Sequence, residues 1–414
     1  MGESIIGPLP TEWQTTTLGE LCKSGGGDIQ TGPFGSQLHA SDYVPVGIPS
    51  VMPQNIGDNV IVETGIARIT PDDANRLSRY LLKAGDIVYS RRGDVERRAL
   101  VRPEQEGWLC GTGCLRVRLG SSADPRFVSY YLGHPKVREW IVRHAVGATM
   151  PNLNTAILAA VPVVIPPIPV QRAIATVLGA LDDKIAVNER IARTGLDLAD
   201  AYFELVARNL AYSSETFGSV AEVFGGGTPR TSEPAYWDGS IAWATPSDVT
   251  ALSAPYLFTT ARKITEKGLA ECASQLYPPG SIFMTSRATI GAFAVPQVPA
   301  AVNQGFIVVI PRQPEMRWWL FHEMRSRVDE MRSLANGSTF LELSRKNFKA
   351  MRVRLAEPDV IARFSAQVDP LHKRAAKCVE ESRVLAELRD TLLPKLMSGE
   401  LRVRDAEKAV EEAL

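Results

Sequence analysis

This 414-residue sequence lacks the features of a membrane-spanning or a disulfide-linked protein. It has no run of 18 or more apolar residues, so we expect no transmembrane helix. The apolar stretch 159–170 carries four prolines, which suit neither a membrane helix nor a signal-peptide core. Five scattered cysteines form no disulfide framework, and the lone pair Cys110 and Cys114 falls short of the four ligands of a structural zinc site. We therefore expect a cytoplasmic protein without a metal.

An excess of basic residues is also missing, since 46 lysines and arginines balance 46 acidic residues. Free-standing DNA-binding domains are usually basic. Zero net charge thus argues against DNA binding by the chain alone, but not against a subunit that shares phosphate contacts with partners. The length predicts two to four domains.

Catalytic motifs are absent as well. There is no Walker A motif, no N-P-P-aromatic methyltransferase signature, no G-x-S-x-G and no H-E-x-x-H. The glycine triplets are not followed by a predicted helix, so they do not fit a dinucleotide fingerprint. Five scattered histidines suggest no catalytic relay. We expect that the chain is not an enzyme.

The sequence contains a tandem repeat. Gly25–Gly27 and Gly225–Gly227 lie 200 residues apart, whereas later matches have offsets of 193 and 195. From Gly147, matched with Gly337, the offset stays at 190. Gaps thus occur only in the first ~150 residues of each copy, where loops tolerate insertions. The gap-free remainder is typical of a helix, whose register must be kept.

The end of each copy has a narrow apolar stripe at spacings of three and four, which predicts a long helix. Prolines at 166–169 and Pro358 mark the helix starts, and we expect Pro394 to kink or end the second helix. A narrow stripe is typical of helix-on-helix pairing, although an ordinary amphipathic helix on a globular domain is the alternative. The predicted division is 1–165 and 213–356 as modules, with 166–212 and 357–414 as helices.

Each module is predicted to be a small α/β (α+β) domain. Strands are predicted at 85–93, 114–119, 280–288 and 305–310, and helices with aromatic anchors at 125–145 and 314–335. The predicted fold is thus two similar modules joined by two long antiparallel coiled-coil helices with pseudo-two-fold symmetry. Helices of about 40 residues would be about 60 Å long.

Several segments occur in a specific order along the whole chain. They are TGPFGSQLHASDY at 31–43, GDIVYSRRGDV at 85–95, GATMPNLN at 147–154, PPIPVQRAIATVLGALDDKI at 166–185 and LRDTLLPKLMSGELRV at 388–403. This set resembles the specificity subunits of type I restriction-modification enzymes. The second copy departs from the pattern with Ile361 in place of Gln171, and its GST is followed by Phe340 and Glu342 rather than by Pro151 and Asn152.

The resemblance implies a non-catalytic subunit that reads a bipartite, asymmetric site in double-stranded DNA, one half per module. It implies two modification (methyltransferase) subunits as partners, and up to two restriction subunits that hydrolyse ATP. S-adenosylmethionine, ATP and Mg would belong to those partners, and this chain would bind no cofactor. The exposed helix faces and the segments 147–170 and 337–358 are the expected docking sites of the modification subunits.

Candidate DNA-binding residues are those whose side chains match base edges or phosphates. In the first module they are Ser36, Gln37, Arg91, Arg92, Asp94, Arg97 and Arg98. In the second they are Thr228, Arg230, Thr285, Ser286, Arg287, Asn303 and Gln304. We prefer the loop that carries Arg91 and Arg92, because Arg287 follows a strand at the matching place.

The basic segment 343–354, with Arg345 and Lys346, predicts phosphate contact or, equally, a strand edge protected by charge. Two other hypotheses stay open at this point. A coiled-coil scaffold that binds only proteins would explain the helices and the zero charge, but not arginines in matching loops. An independent nuclease or methyltransferase with an unfamiliar site would methylate or cut DNA by itself.

Overall fold

A computed structural model describes residues 3–147, 150–337 and 341–414. The chain forms two compact units, residues 1–183 with 385–414 and residues 184–384. We call them the first and second unit. Each of two long helices gives one part to each unit. The boundaries predicted at residues 165, 212 and 356 follow segments of the chain rather than units in space, and they stay a prediction.

The first half of the chain contains eleven strands and six helices among its described residues. The strands are β1 Glu3–Ser4, β2 Gly7–Pro8, β3 Gln14–Thr17, β4 Asp28–Thr31, β5 Tyr43–Val51, β6 Ala67–Ile69, β7 Ile87–Ser90, β8 Arg98–Leu100, β9 Leu109–Cys110, β10 Cys114–Arg118 and β11 Pro162–Ile165. The helices are α1 Leu18–Ser24, α2 Pro71–Arg76, α3 Pro125–Leu132, α4 Pro135–His144, α5 Thr155–Ala159 and α6 Ile168–Ala207.

The second half repeats this order with small changes. Its strands are β12 Tyr212–Thr216, β13 Ala221–Phe224, β14 Trp237–Ala244, β15 Tyr256–Leu257, β16 Lys263–Ile264, β17 Ile282–Thr285, β18 Phe293–Pro296, β19 Ala300–Val302, β20 Phe306–Pro311 and β21 Arg352–Arg354. Its helices are α7 Phe217–Val220, α8 Pro246–Thr250, α9 Glu266–Ala270, α10 Arg317–Ser326, α11 Val328–Ser333, α12 Arg345–Ala350, α13 Pro358–Ser398 and α14 Val403–Glu411.

The sheets confirm the repeat and the mixed α and β content. The first unit has a sheet of order β4-β10-β7-β8, and the second unit has β13-β20-β17-β18-β15. A smaller sheet, β6-β5-β9 or β16-β14-β19, accompanies each. In both units the central strand of the smaller sheet pairs with one neighbour in parallel and with the other antiparallel. The strands predicted at 85–93, 114–119, 280–288 and 305–310 correspond to β7, β10, β17 and β20.

The two long helices begin where the prolines predicted. Helix α6 begins at Ile168 and α13 at Pro358. Within the second unit they run antiparallel, because Lys184 pairs with Glu381 at 3.1 Å while Tyr202 stacks on Phe364. Pro394 does not end α13, which continues to Ser398; Gly399, with a φ of 73°, follows it.

The structure corrects one pairing within the repeat. Gly25–Gly27 precede β4, whereas Gly225–Gly227 follow β13, although these strands take equivalent places in their sheets. The counterpart of Gly226 is Gly32, since a Cβ on either would lie 2.1 Å from a backbone carbonyl oxygen. Both positions therefore need glycine. The two glycine triplets match in sequence but do not occupy equivalent positions in the two units.

Candidate nucleic-acid interface

In the second unit, three loops meet at one edge of the larger sheet. Strand β20 is antiparallel to both β13 and β17, so its start lies beside the ends of both neighbours. The loop after β13 is fixed by the Gly227 N–H, which donates to the Val302 carbonyl at 3.1 Å. The loop after β17 is fixed by the Ser286 N–H, which donates to the Gly305 carbonyl at 2.8 Å. We call this edge the second edge.

The first unit builds the same edge from β4, β10 and β7. Its loops are held by the Gly32 N–H, which donates to the Cys114 carbonyl at 2.9 Å, and the Arg91 N–H, which donates to the Gly113 carbonyl at 2.8 Å. We call it the first edge. The bond of Arg91 to Gly113 is the counterpart of the bond of Ser286 to Gly305, so the repeat is kept at the level of single hydrogen bonds.

A fourth segment completes each edge. At the first edge, the Leu153 N–H donates to the Arg91 carbonyl at 2.8 Å, and Arg92 forms a β-bridge with Asn152. At the second edge, the Leu343 N–H donates to the Ser286 carbonyl at 2.9 Å, and Arg287 forms a β-bridge with Glu342. The structure thus makes Arg92 the counterpart of Arg287, which confirms the predicted match between the two loops. Residues 148–149 and 338–340 of the repeated segments lie outside the described residues.

The residue after each of these arginines adopts the same unusual backbone. Gly93 has a φ of 72° and Ala288 a φ of 61°. Left-handed φ is costly for a residue with a Cβ, so a non-glycine residue keeps it only where the surroundings hold the backbone in place. Here the surroundings are equivalent: the Gly93 N–H donates to the Pro151 carbonyl, and the Ala288 N–H to the Leu341 carbonyl. Each arginine therefore stands on a fixed turn.

The second edge gathers most of its predicted residues, and several are paired with each other. The Thr228 hydroxyl donates to Gln304 Oε1 at 2.6 Å, and the Asn303 Oδ1 accepts from the Gly305 N–H. The Arg345 guanidinium lies against Gly225, where a Cβ would be 3.2 Å from its Cζ atom. Exposed at or beside this edge are Arg230, Arg287 and Lys346.

Arg287 is neutralised within the protein. Its Nε and Nη2 atoms donate to the same Oε2 atom of Glu342, at 3.2 and 2.7 Å. Both side chains are about two-fifths exposed, at 43% and 42%. Solvent weakens such a pair, so its contribution to stability is small, but it does fix the direction of the guanidinium.

The first edge is less satisfied internally. Arg92 is exposed, and its side chain forms no ion pair with any described residue. Thr112 is hydrogen-bonded to Tyr43, whereas Arg91 Nε and Asn152 Oδ1 are buried atoms without a hydrogen-bond partner in the described part of the chain. Buried polar atoms in native proteins nearly always have a partner. These atoms would therefore gain from a ligand or water that supplies one.

The other predicted residues of the first unit differ in their structural roles. Gln37 holds its loop, because its Oε1 accepts from the Phe34 N–H at 3.2 Å and from the Tyr80 hydroxyl at 2.9 Å. Ser36, next to it, is exposed. Asp94 and Arg97 form an exposed ion pair at 2.6 Å. Arg97 thus reaches solvent with its charge already compensated.

Three predicted DNA-binding residues are corrected by the structure, because their side chains are buried. Arg98 is 3% exposed, and its guanidinium binds the Ser129 carbonyl at 2.6 Å and Asp58 at 3.0 Å. Thr285 is fully buried, with its Oγ1 accepting from the Ala292 N–H. Ser286 is 3% exposed. These residues hold the strands that carry the edges and are not placed to touch DNA.

In the second unit, a buried series of hydrogen bonds joins β15 and α10 to both long helices. The Asp200 carboxylate accepts from His322 Nδ1 at 2.6 Å, so in a neutral His322 ring the Nε2 atom accepts from His372 Nε2 at 3.0 Å. His372 Nδ1 then accepts from the Tyr256 hydroxyl at 2.8 Å. This order requires both imidazoles to be neutral. The Trp318 ring covers His372 at 3.5 Å.

Burial sets the protonation of the histidines in this series of hydrogen bonds. It lowers the pKa of His372 to about 2 and also lowers the pKa of His322, against the pull of Asp200. Burial opposes ionisation of Asp200, but hydrogen bonds from His322 and Arg325 outweigh it and lower the pKa of Asp200 to about 2. Arg317 and Asp369 also face His372, with smaller and opposite effects.

The first unit makes the corresponding junction with charges. The Tyr130 hydroxyl donates to Asp182 at 2.5 Å, and Arg389 Nη1 donates to the other carboxylate oxygen at 2.7 Å. Tyr130 lies on α3, Asp182 on α6 and Arg389 on α13. Burial raises the pKa of Tyr130, and the nearby Asp182 carboxylate raises it further. Across the described residues, no cluster of three or more metal-ligating side chains forms, and no helix is long and apolar enough to span a membrane.

Comparison with known proteins decides the family. The model of the type I restriction modification DNA specificity domain matches twice, at residues 10–194 and 212–370. The chain belongs to this specificity family. One of the two matches lies in each half of the chain, as the resemblance predicted.

Individual relatives of this specificity protein agree. It is 34% identical over 142 residues to the type I restriction enzyme MjaIX specificity subunit of Methanocaldococcus jannaschii, covering 34% of this chain and 33% of that one. It is 30% identical over 118 residues to the EcoR124I/EcoR124II specificity subunit of Escherichia coli, covering 27% and 28%. The alignments therefore span about a third of these relatives' own lengths. The type I restriction-modification S subunit of M. genitalium shares the fold, with a TM-score of 0.54 and 18% identity over 93% of this chain and 96% of that one.

Sequence reasoning missed four residues at the edges of this specificity protein. They are Phe34, Thr112, Asn152 and Glu342. Phe34 is 54% exposed, and its place is taken by Thr228 in the second unit. A usable signal was present for Asn152 and Glu342, since they take the same place in two segments that match at an offset of 190 but differ in residue type. The segments themselves were assigned to subunit docking, which hid their place beside the arginine loops.

Proposed function

We propose that this chain is the DNA-recognition subunit of a type I restriction-modification complex and reads a bipartite, asymmetric site. The observation that carries the proposal is the pair of equivalent edges. Each is a rigid set of loops, and each presents an arginine from the same fixed turn. Sites held by a rigid backbone suit base recognition, which needs side chains placed within a fraction of an ångström.

The two edges have the same backbone structure but different side chains. The first presents Arg92 with Asn152, and the second presents Arg287 with Glu342. Because base edges are recognised by matching donors and acceptors, different side chains at equivalent places favour different bases. This supports an asymmetric site with two unlike halves.

Phosphate contacts would come from exposed cations near each edge. At the second edge, Arg345, Lys346 and Lys349 lie on the short helix α12. The matching helix α5 of the first unit has the sequence TAILA and carries no charge. The second unit therefore has a basic surface for the backbone that the first lacks. Zero net charge fits a chain that shares its phosphate contacts with partners.

The partners belong to the proposal too. We expect two modification subunits, which hold S-adenosylmethionine, to dock on the exposed faces of α6 and α13 and on segments 147–170 and 337–358. Up to two restriction subunits would bring ATP and Mg. The chain itself would contribute no catalytic residue and hold no cofactor.

The test is to map N6-methyladenine across the host genome with and without this gene. Loss of methylation at one split motif with an unread spacer is the expected result. A purified complex with its modification subunits should then bind a duplex of that motif in a salt-dependent way. A chain that only scaffolds proteins would leave every motif methylated and would bind no duplex specifically.

A further inference from the structure

The residues at 152 and 342 occupy one equivalent place in the two units. Each forms β-bridges on both sides: Asn152 with Arg92 and Val146, and Glu342 with Arg287 and Asn336. Both neighbours of each residue are thus fixed by backbone hydrogen bonds. A side chain at this position stands beside the edge arginine on a backbone that cannot shift freely.

The two residues differ in what they do to that arginine. Glu342 accepts two hydrogen bonds from Arg287 and leaves Nη1 unused by this pair. Asn152 makes no side-chain hydrogen bond to Arg92, and its Oδ1 has no partner among the described residues. Turning the Asn152 amide toward a ligand therefore costs no existing hydrogen bond of that oxygen. The second edge is already paired, whereas at the first edge the Asn152 oxygen is buried and has no partner among the described residues.

We infer that positions 152 and 342 determine base specificity, one in each half-site, an inference that rests on the proposed function. Asn152 directs the first unit toward adenine, and the Arg287–Glu342 pair directs the second unit toward a G·C base pair. An amide supplies the donor and acceptor that adenine N7 and N6 require in the major groove. The other pair combines a donor for guanine O6 and N7 with an acceptor for the cytosine N4 amino group.

The geometry explains why the second pair acts as a unit. A carboxylate without its arginine would repel the phosphates around any half-site. Arg287 bound through Nε and Nη2 keeps its direction while one side of the guanidinium stays available. Glu342 thus positions Arg287 and also meets the partner base. At the first edge no such ion pair exists, so Arg92 remains available for phosphate.

The experiment exchanges the two residues in the assembled complex. Glu342→Asn and Asn152→Glu are compared with wild type on duplexes that carry each base pair in turn at every position of the mapped motif. Glu222→Asn is the matched control, because Glu222 also pairs with an arginine, Arg312, at similar exposure in the same unit, 52% and 53%. Glu342→Gln keeps the size of the side chain and removes its charge.

We expect Glu342→Asn to change the preference at one position of the second half-site from G·C toward A·T by about tenfold. The other half-site should be unaffected. Asn152→Glu should reduce the preference for adenine at one position of the first half-site. Glu222→Asn should leave the preferences of both halves unchanged.

The outcomes separate this inference from the function it rests on. A wild-type complex that binds all duplexes alike overturns the proposed function. A wild-type complex with a clear split motif, which Glu342→Asn and Asn152→Glu leave unchanged at every position, overturns only the inference. If Glu342→Asn fails to assemble, Glu342→Gln decides, since unchanged preference in that variant also contradicts the role of the carboxylate.

Discussion

The two units of this chain solve the same structural problem with different chemistry. Their edges keep the same backbone hydrogen bonds, down to the left-handed residue that follows each arginine. Their junctions with the long helices also use corresponding elements, yet one is built from Arg389 and Asp182 and the other from His322 and His372. The frame is therefore specified by backbone geometry, and the side chains on it are free to diverge. A recognition protein needs this separation, because changing the side chains that bind a new target must not disrupt the fold.

The charged junction of the first unit gives the largest expected effect. Replacing Arg389 with alanine leaves Asp182, which is only 16% exposed, without its cation, whereas Asp58 keeps its ion pair with Arg98. We expect a loss of about 2–3 kcal/mol in the free energy of unfolding, as for the breaking of a largely buried pair. Urea unfolding of the purified chain measures it.

Asp390 provides the control for that variant. It also pairs with Arg389, but it is 65% exposed. Asp390→Asn should change the free energy of unfolding by less than about 0.5 kcal/mol. Equal losses in the two variants would show that burial does not set the strength of this junction.

The junction of the second unit should be the more sensitive to acid. His322 and His372 have folded-state pKa values below the ordinary 6.5, so the unfolded chain binds more protons below that pH. Their contribution is complete above about pH 6.5 and is lost as the pH falls toward the folded pKa values. Between pH 7.5 and 5.5 we expect a loss of about 2 kcal/mol from the pair.

A variant separates this effect from the rest of the chain. His134 of the first unit is also buried, with a pKa lowered to about 4, so wild type should lose stability through three histidines. His372→Phe removes one of them and keeps a ring against Trp318. The fall in unfolding free energy over this pH range should be smaller by about a third to a half, whereas exposed His39→Gln should match wild type. If the unfolding free energy of His372→Phe changed with pH as steeply as that of wild type, the imidazoles would not be neutral in the folded protein.

Arginine removal tests the contrast between the edges. Arg287→Ala leaves the Glu342 carboxylate unpaired beside the DNA, whereas Arg92→Ala leaves a neutral amide. We expect Arg287→Ala to weaken binding of the complex to its own motif about tenfold, and Arg92→Ala by a smaller factor with a lower salt dependence. Adding Glu342→Gln to Arg287→Ala should recover part of the loss in Kd. No recovery would mean that the unpaired carboxylate does not repel the DNA.

The exposed pair of Asp94 and Arg97 gives the smallest effect. Both side chains are about half exposed, so Asp94→Asn should change the free energy of unfolding by less than about 0.5 kcal/mol. It should change Kd for the motif by less than about twofold. A larger change in Kd would place Arg97 on the DNA and enlarge the first edge.

Much of the fold followed from periodicity and repetition. The starts of α6 and α13, the strands β7 and β17 and the match of Arg92 with Arg287 were all visible as patterns of letters. Strand pairing determined what letters could not show. Arg98 looked like its neighbours but is buried, because helix α3 packs on β8 and its Ser129 carbonyl accepts from the Arg98 guanidinium. Asn152 reaches the edge only through a β-bridge with Arg92, about 60 residues away in sequence, and no local pattern records such a contact.

The central claim is that each unit reads its own half of one site. The most direct measurement is the base preference of the assembled complex at every position of the motif, for Asn152→Ala and Arg287→Ala separately. Each variant should change preference or affinity through one half-site only, and a different half for each. Changes spread over both halves in either variant, or no change in either, would contradict it.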